Sequence, residues 1–249
     1  SLQKVMEKIS IITISFNSEN SISDTFQSVK NQSINNYEYL LIDGGSSDST
    51  LSIAKEQGHI SKTISGPDKG IYDAINKGIK NSNGEIVGFL NSDDTFYDEN
   101  SLQHIINAFD EDIDCVFGDL IYTDKSENVK RVWKGSEFKK GAFKKAWMPA
   151  HPTFYCRRSI YEKLGLYDDS FKIAGDFELM LRFLEIHNIR SKYIPRKLVN
   201  MKVGGISNSG LKSKWTIFKE ELRAFKINNI SVNPFLFFLY KLKKLKQFF

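Results

Sequence analysis

The chain has only two cysteines, Cys115 and Cys156, in 249 residues. Two cannot build a disulfide framework, and they lack the CxxC spacing of a zinc site, so a reducing compartment fits best. No apolar run reaches the ~18 residues that a bilayer-spanning helix needs. Ser1 to Lys8 is polar and lacks the apolar core of a secretory leader, so none is expected there. Internal repeats and low-complexity tracts are absent. Charge of one sign is not in large excess: 35 Lys+Arg against 30 Asp+Glu leave a net +5. The basic residues are not organised around a reading helix or an aromatic sheet motif, which argues against nucleic acid as a partner. What remains is an ordinary globular composition, 41% hydrophobic and 26% charged, long enough for one large domain with or without an appendage.

The first half alternates between two periods. Ile9 to Phe16 reads as a β-rich strand closed by Asn17, and Ile22, Thr25, Phe26 and Val29 then follow helical spacing behind Ser21 and Asp24, which resemble a capping box. Tyr39 to Ile42 predicts a second strand ending at Asp43-Gly44-Gly45, with a short helix to about Gln57 and a third strand near Ile60 to Ser65. A helix face of Ile71, Ala74, Ile75, Gly78 and Ile79 leads through Asn83-Gly84 into the apolar run Ile86 to Leu90. A helix over 98–109 and the run Ile113 to Phe117 follow. Strands alternating with helices at this spacing predict an α/β fold with a doubly wound, mostly parallel sheet. Ligands of such sheets sit beyond the carboxyl ends of the strands, where Asn17, Asp43 and Asp93-Asp94 all fall.

After residue 119 the pattern changes. Leu120 to Tyr122 and Val129 to Trp133 suit an antiparallel pair, a basic stretch runs from Lys134 to Lys145, and Ser159 to Leu164 suits a helix. A more apolar helix starts near Asp176, with Phe177, Met180, Leu181 and Leu184 on one face.

The tetrad Asn91-Ser92-Asp93-Asp94 carries the most chemistry. Two adjacent carboxylates at the end of a buried strand are costly without a partner, and oxygen ligands of this kind suit Mg²⁺ or Mn²⁺ shared with phosphate and water. An Asp-Asp turn capping the helix near Asp98 explains the same residues.

Taken together, Ile9-Ser-Ile-Ile-Thr-Ile-Ser-Phe-Asn17, Ile42-Asp-Gly-Gly-Ser-Ser-Asp-Ser-Thr50, Asp68-Lys-Gly-Ile-Tyr-Asp-Ala-Ile-Asn-Lys-Gly78, Phe89-Leu-Asn-Ser-Asp-Asp94 and Ala174-Gly-Asp-Phe-Glu178 resemble the family 2 glycosyltransferases. The resemblance covers roughly residues 8–200 and is strongest to the bacterial enzymes of O-antigen, capsule and exopolysaccharide assembly. It implies a GT-A fold, a nucleotide-sugar donor that is UDP-linked, Mn²⁺ or Mg²⁺ as cofactor, and transfer with inversion. By that resemblance Asp94 ligates the metal and Asp93 the ribose or metal. Ser15, Asn17, Asp43, Asp68 and Lys69 then line the nucleotide site, and Asp176 is the general base on the acceptor hydroxyl. Many members have a second acidic residue where this chain has Gly44, and Asp where it has Asn91.

Each residue also has a plainer reading. Asp176 could simply cap its helix, which leaves Glu178 as a second candidate base; Asp43 could tie down the turn at Gly44-Gly45; Lys69 could be merely solvated. His151 suits a structural role, or acceptor or diphosphate contact. Arg157-Arg158 suit phosphate or the start of a surface helix. Trp133, Trp147 and Tyr155 could form a sugar platform or belong to the core. Pro234 to Phe249 mixes large apolar residues with four lysines, the composition of a helix lying on an anionic membrane or packed on this chain or another subunit.

The expected organisation is a GT-A domain over 1–205, with a nucleotide-sugar-binding half (8–118) and an α+β acceptor half (119–205), then a helical, basic-aromatic segment over 206–249 in contact with membrane or a second subunit. The acceptor is expected to be a glycan or a polyprenyl-diphosphate-linked glycan, with the enzyme peripheral on the inner, cytoplasmic face of a bacterial cell membrane. The rivals are a nucleotidyltransferase, which lacks its Gly-rich basic loop after the first strand, and a catalytically inactive recruiting module. Oligomeric state is left open.

Overall fold

The structure is a computed structural model and describes residues 8–124, 126–203 and 210–246. Its first strand, β1 (Ile9–Ser15), is buried at every position but Ile14, as a central strand covered on both faces should be. The chain then alternates through α1 (Ile22–Lys30), β2 (Tyr37–Asp43), α2 (Thr50–Lys55), β3 (Lys62–Ser65), α3 (Ile71–Asn81) and β4 (Ile86–Phe89). Helix α1 buries Ile22, Thr25, Phe26 and Val29, the stripe its spacing predicts. The capping box does not form. Ser21 makes no side-chain cap bond, and Asp24 instead reaches Lys202 Nζ at 2.6 Å.

The second half holds β5 (Asp94–Phe96), α4 (Ser101–Ala108), β6 (Cys115–Thr123), β7 (Val129–Trp133), β8 (Tyr155–Arg157), α5 (Arg158–Leu164) and α6 (Gly175–Met180), which runs on as a π-helical turn, Leu181–Ile186. Then come β9 (Ser191–Lys202), α7 (Gly210–Ile227) and α8 (Pro234–Lys246). The strands form one sheet in the order β3-β2-β1-β4-β8-β6-β9-β5, with β7 paired to β6. Strands β3, β2, β1 and β4 are parallel, β8 runs against both neighbours, and the longest ladders, β1 with β2 and β6 with β9, are parallel. This is the GT-A arrangement the resemblance implies. The β6–β7 hairpin stands where expected, whereas the runs at 113–117 and 120–122 belong to one strand. Strands β5 and β9 were not foreseen. The first is three residues long and opens on Asp94; the second alternates with Lys192, Arg196 and Lys197 around Pro195.

One apolar layer lies between the sheet and α1 and α4, the other between the sheet and α3 and α6. The C-terminal helices close the second layer. Phe225 of α7 and Phe237 of α8 pack edge-to-face with centroids 5.2 Å apart and lie against Phe177 at 5.5 and 6.4 Å. The aromatic platform considered from sequence is not assembled: Trp147 packs among Phe117, Phe138 and Phe143, and Tyr155 is fully buried.

Candidate active site

Parallel pairing sets the carboxyl ends of β1, β2 and β3 in one row, with Ser15 beside Asp43 and Asp43 beside Ser65. Asp43 is buried there and its oxygens are heavily used. Oδ1 accepts from Ser15 Oγ (3.0 Å) and Ser46 Oγ (2.5 Å); Oδ2 accepts from Gly45 N (3.0 Å), Ser46 N (2.9 Å) and Ser65 Oγ (2.7 Å). Burial raises its carboxyl, but these donors outweigh that and hold it below the usual carboxylate range. The structure therefore gives Asp43 a turn-holding role, with donors on both its oxygens. Ser15 serves the same knot. Asn17, at φ +48°, bonds Ser47 N through Oδ1 at 2.9 Å, so its carbonyl is committed to the turn as well.

Gly44 explains where the missing acidic residue went. A Cβ there would lie 2.7 Å from Asp68 Oδ2 and 3.3 Å from the Phe16 ring, so Asp68 fills the space that a longer residue at 44 would claim. Asp68 is held by Gly70 N at 3.0 Å on its other oxygen. Lys69 is exposed at the start of α3, and Phe16, an aromatic ring at the end of β1, is 63% exposed beside Gly44. Phe16 was read from sequence only as the last residue of a strand. Its signal was position, a large ring exactly one residue short of the polar loop.

The tetrad is tied to this edge by Ser92 Oγ, 2.8 Å from Ser18 Oγ. Asp93 is half-buried, and Asp94 is wholly enclosed, with Asn91 Nδ2 donating to Oδ2 at 3.2 Å and Oδ1 buried without a hydrogen-bond partner. Burial pushes both carboxyls up, Asp94 far up, where the neighbouring Asp93 charge adds to it. Neither caps α4: Asp98 does that local work, bonding Asn100 N and Ser101 Oγ. An orphaned oxygen and two desolvated carboxyls fit a cation at this edge. Among the described residues no three acidic, His or Cys side chains gather to hold a metal alone, so phosphate and water would complete its shell, as suits Mg²⁺ or Mn²⁺. Within the pair Asp93 is the more accessible carboxyl, half-buried where Asp94 is buried.

Asp176 lies in the first turn of α6, and His151 Nδ1 stands 3.2 Å from its Oδ2. His151 is thus brought to the candidate base. Tyr72, unremarked in the sequence, stacks on Tyr167 at 5.6 Å, and its hydroxyl lies 3.4 Å from Asp176 Oδ1. Its ring also demands Gly175, where a Cβ would come within 2.7 Å of it. Tyr122 carries Arg131 over its ring at 4.9 Å; burial raises its phenol, Arg131 opposes, and the charges of Asp94 and Asp176 push it further up.

Glu178 is no reserve base. It is buried in an ion pair with Arg182, Oε1 to Nε at 2.9 Å and Oε2 to Nη2 at 3.1 Å, and also accepts from Asn228 at 3.1 Å. A carboxylate so engaged is a poor proton acceptor. Arg157 and Arg158 bond the carbonyls of Ile113 and Gly84 near the amino ends of β6 and β4, at the opposite edge of the sheet from the tetrad.

Comparison with known proteins gives the family and the fold. The profile of glycosyl transferase family 2 matches residues 10–174. A PGL/p-HBAD biosynthesis glycosyltransferase of Mycobacterium bovis is 28% identical over 191 residues, covering 73% of this chain and 72% of its own. An uncharacterised glycosyltransferase of Mycobacterium tuberculosis is 32% identical over 181 residues, 70% and 68% of the two chains. Among solved structures, Staphylococcus aureus TarS 1–349 in complex with UDP-GlcNAc superposes with a TM-score of 0.71 at 20% identity, over 91% of this chain and 68% of that one. A mannosyltransferase of Pyrobaculum calidifontis with GDP-Man and Mn²⁺ gives 0.65 at 14% identity, over 90% and 68%.

Proposed function

The chain belongs to glycosyl transferase family 2, and from that premise we propose that it transfers a sugar from a nucleotide-sugar, UDP-linked, to an acceptor hydroxyl with inversion. The observations that carry this reading are the pairing of His151 with Asp176 at 3.2 Å and the buried, unpartnered oxygen of Asp94 at the tetrad. In the reaction the acceptor oxygen bonds the anomeric carbon while the bond from that carbon to the diphosphate breaks. The acceptor proton passes to the Asp176 carboxylate. His151 donates to Oδ2 and so orients the carboxylate toward the cleft. A divalent cation, Mn²⁺ or Mg²⁺, held by Asp93 beside Asp94, would stabilise the charge growing on the leaving diphosphate. Asp68 and Lys69 would meet the nucleotide from the start of α3, and the exposed Phe16 ring offers a face for the base.

A screen of nucleotide-sugars with Mn²⁺, scored for nucleotide release, tests the activity. Turnover of one donor supports it; binding without turnover of any would favour an inactive recruiting module. Phe16→Ala should weaken UDP binding by about tenfold, the scale of one lost base–aromatic stack, measured by calorimetry. An unchanged Kd would remove the ring from the site.

The acceptor proposed is a glycan or a polyprenyl-diphosphate-linked glycan in bacterial surface polysaccharide synthesis, met at the inner face of the cell membrane. Among the described residues no helix is long and apolar enough to cross a membrane. Support for peripheral contact comes from α8, where Phe235, Phe238, Leu239 and Leu242 are exposed at helical spacing on one stripe. Two of the lysines are engaged inward, Lys241 with Glu221 and Lys244 with the Ala146 carbonyl at 3.2 Å, so apolar insertion carries more of the contact than charge. The helical pair beyond residue 205 packs on the transferase through Phe225 and Phe237 and would present this stripe to the lipid. Because Phe237 plugs the core, deletion of α8 is the wrong experiment. Phe235→Glu with Leu239→Glu should abolish co-sedimentation with vesicles of anionic lipid while the chain stays folded; undiminished binding would refute the membrane role.

A further inference from the structure

The turn that carries Asp176 has an anchorage problem. The residues that lead into α6, Lys172 to Ala174, present backbone N–H groups that need a partner, and Ala174 at the N-cap has no side chain to hold the turn. The partner comes from α7, far along the chain and beyond the segment that matches the family. Glu220 Oε1 accepts from Lys172 N at 2.9 Å, and Oε2 accepts from both Ile173 N and Ala174 N at 2.9 Å. Tyr72 takes the other side, donating to the Ile173 carbonyl at 2.5 Å and accepting from Asp176 N at 3.4 Å. The same helix steadies the approach: Arg223 lies 4.2 Å over the Phe171 ring, with a nitrogen 3.7 Å from Asp168.

A carboxylate that takes up three successive N–H groups makes charge-assisted bonds, stronger than those of a neutral acceptor. It also converts a free loop end into a fixed one two residues before the base. We infer that Glu220 is a positioning residue for Asp176, and that α7 belongs to the catalytic unit. This rests on the reading of Asp176 as the base. The sugar and its nucleotide touch neither Glu220 nor α7 in this account, so the residue acts on turnover and leaves donor binding alone.

Glu220→Gln keeps the shape, removes the charge, and turns one acceptor into an NH₂ that faces backbone N–H groups. Three readouts test it. Hydrogen exchange at the amides of Lys172, Ile173 and Ala174 should speed up by about tenfold or more. Nucleotide release from the donor found in the screen should fall in kcat by about tenfold or more, since small displacements of a reacting group are costly. The Kd of UDP with Mn²⁺ should stay within about twofold. Unchanged exchange, an unchanged kcat, or a UDP affinity that falls in step with kcat each overturns the assignment. Asp176→Asn separates the two claims. If that variant turns over normally, the base reading fails; if it is slow while Glu220→Gln is normal, only the role of Glu220 fails.

Discussion

Asp176→Asn should lower nucleotide release by about three orders of magnitude, the middle of the range general-base catalysis contributes, with UDP affinity unchanged. The amide keeps the size of the carboxylate and can still accept from His151, whose Nδ1 lies 3.2 Å from Oδ2, so the turn has no reason to rearrange. What it cannot do is take a proton. Single-turnover measurements with saturating donor separate this chemical loss from binding. A variant that releases nucleotide at more than about a tenth of the normal rate would show that Asp176 is only a cap.

Asp93→Ala should cut UDP affinity in the presence of Mn²⁺ by about a hundredfold and abolish the dependence of binding on the metal, roughly 2.7 kcal/mol of lost interaction. Its effect on stability should have the opposite sign or none. Asp93 and Asp94 are adjacent and both desolvated, and the Asp93 charge adds to the cost of charging Asp94, so removal of Asp93 relieves the folded state. Calorimetry with and without Mn²⁺, together with a thermal melt, reads both. A lowered Tm with metal-dependent binding intact would make Asp93 a structural residue.

The alternation of strand-like and helix-like segments made the parallel half of the fold legible, because β1, β2 and β4 are rich in buried Ile, Leu and Val between short amphipathic helices. The mixed half was less so. Strand β9 takes its place through pairing with β6 on one side and β5 on the other, while its own residues are largely polar. Site residues divided in the same way. Asp93 and Asp94 stand out as adjacent carboxylates at the end of an apolar run, whereas Asp176 is singled out as a base only by the family resemblance. The occupation of Asp43 by Ser15, Ser46 and Ser65 could not, since it depends on three strand ends meeting. Glu178 looked equivalent to Asp176 two residues away, and only the fold shows it locked onto Arg182. Tyr72 and Glu220 act on the turn before Asp176 from opposite sides of the chain, a contact no local pattern encodes.

The central claim is that the carboxyl edge of this sheet takes a cation and a pyrophosphate together. Crystals soaked with Mn²⁺ and UDP test it most directly through the anomalous signal of the metal. The expected peak lies within ligand distance of an Asp93 oxygen and of the diphosphate, with the uracil against Phe16. A manganese–nucleotide pair bound elsewhere on the chain, with this edge empty, would contradict the account.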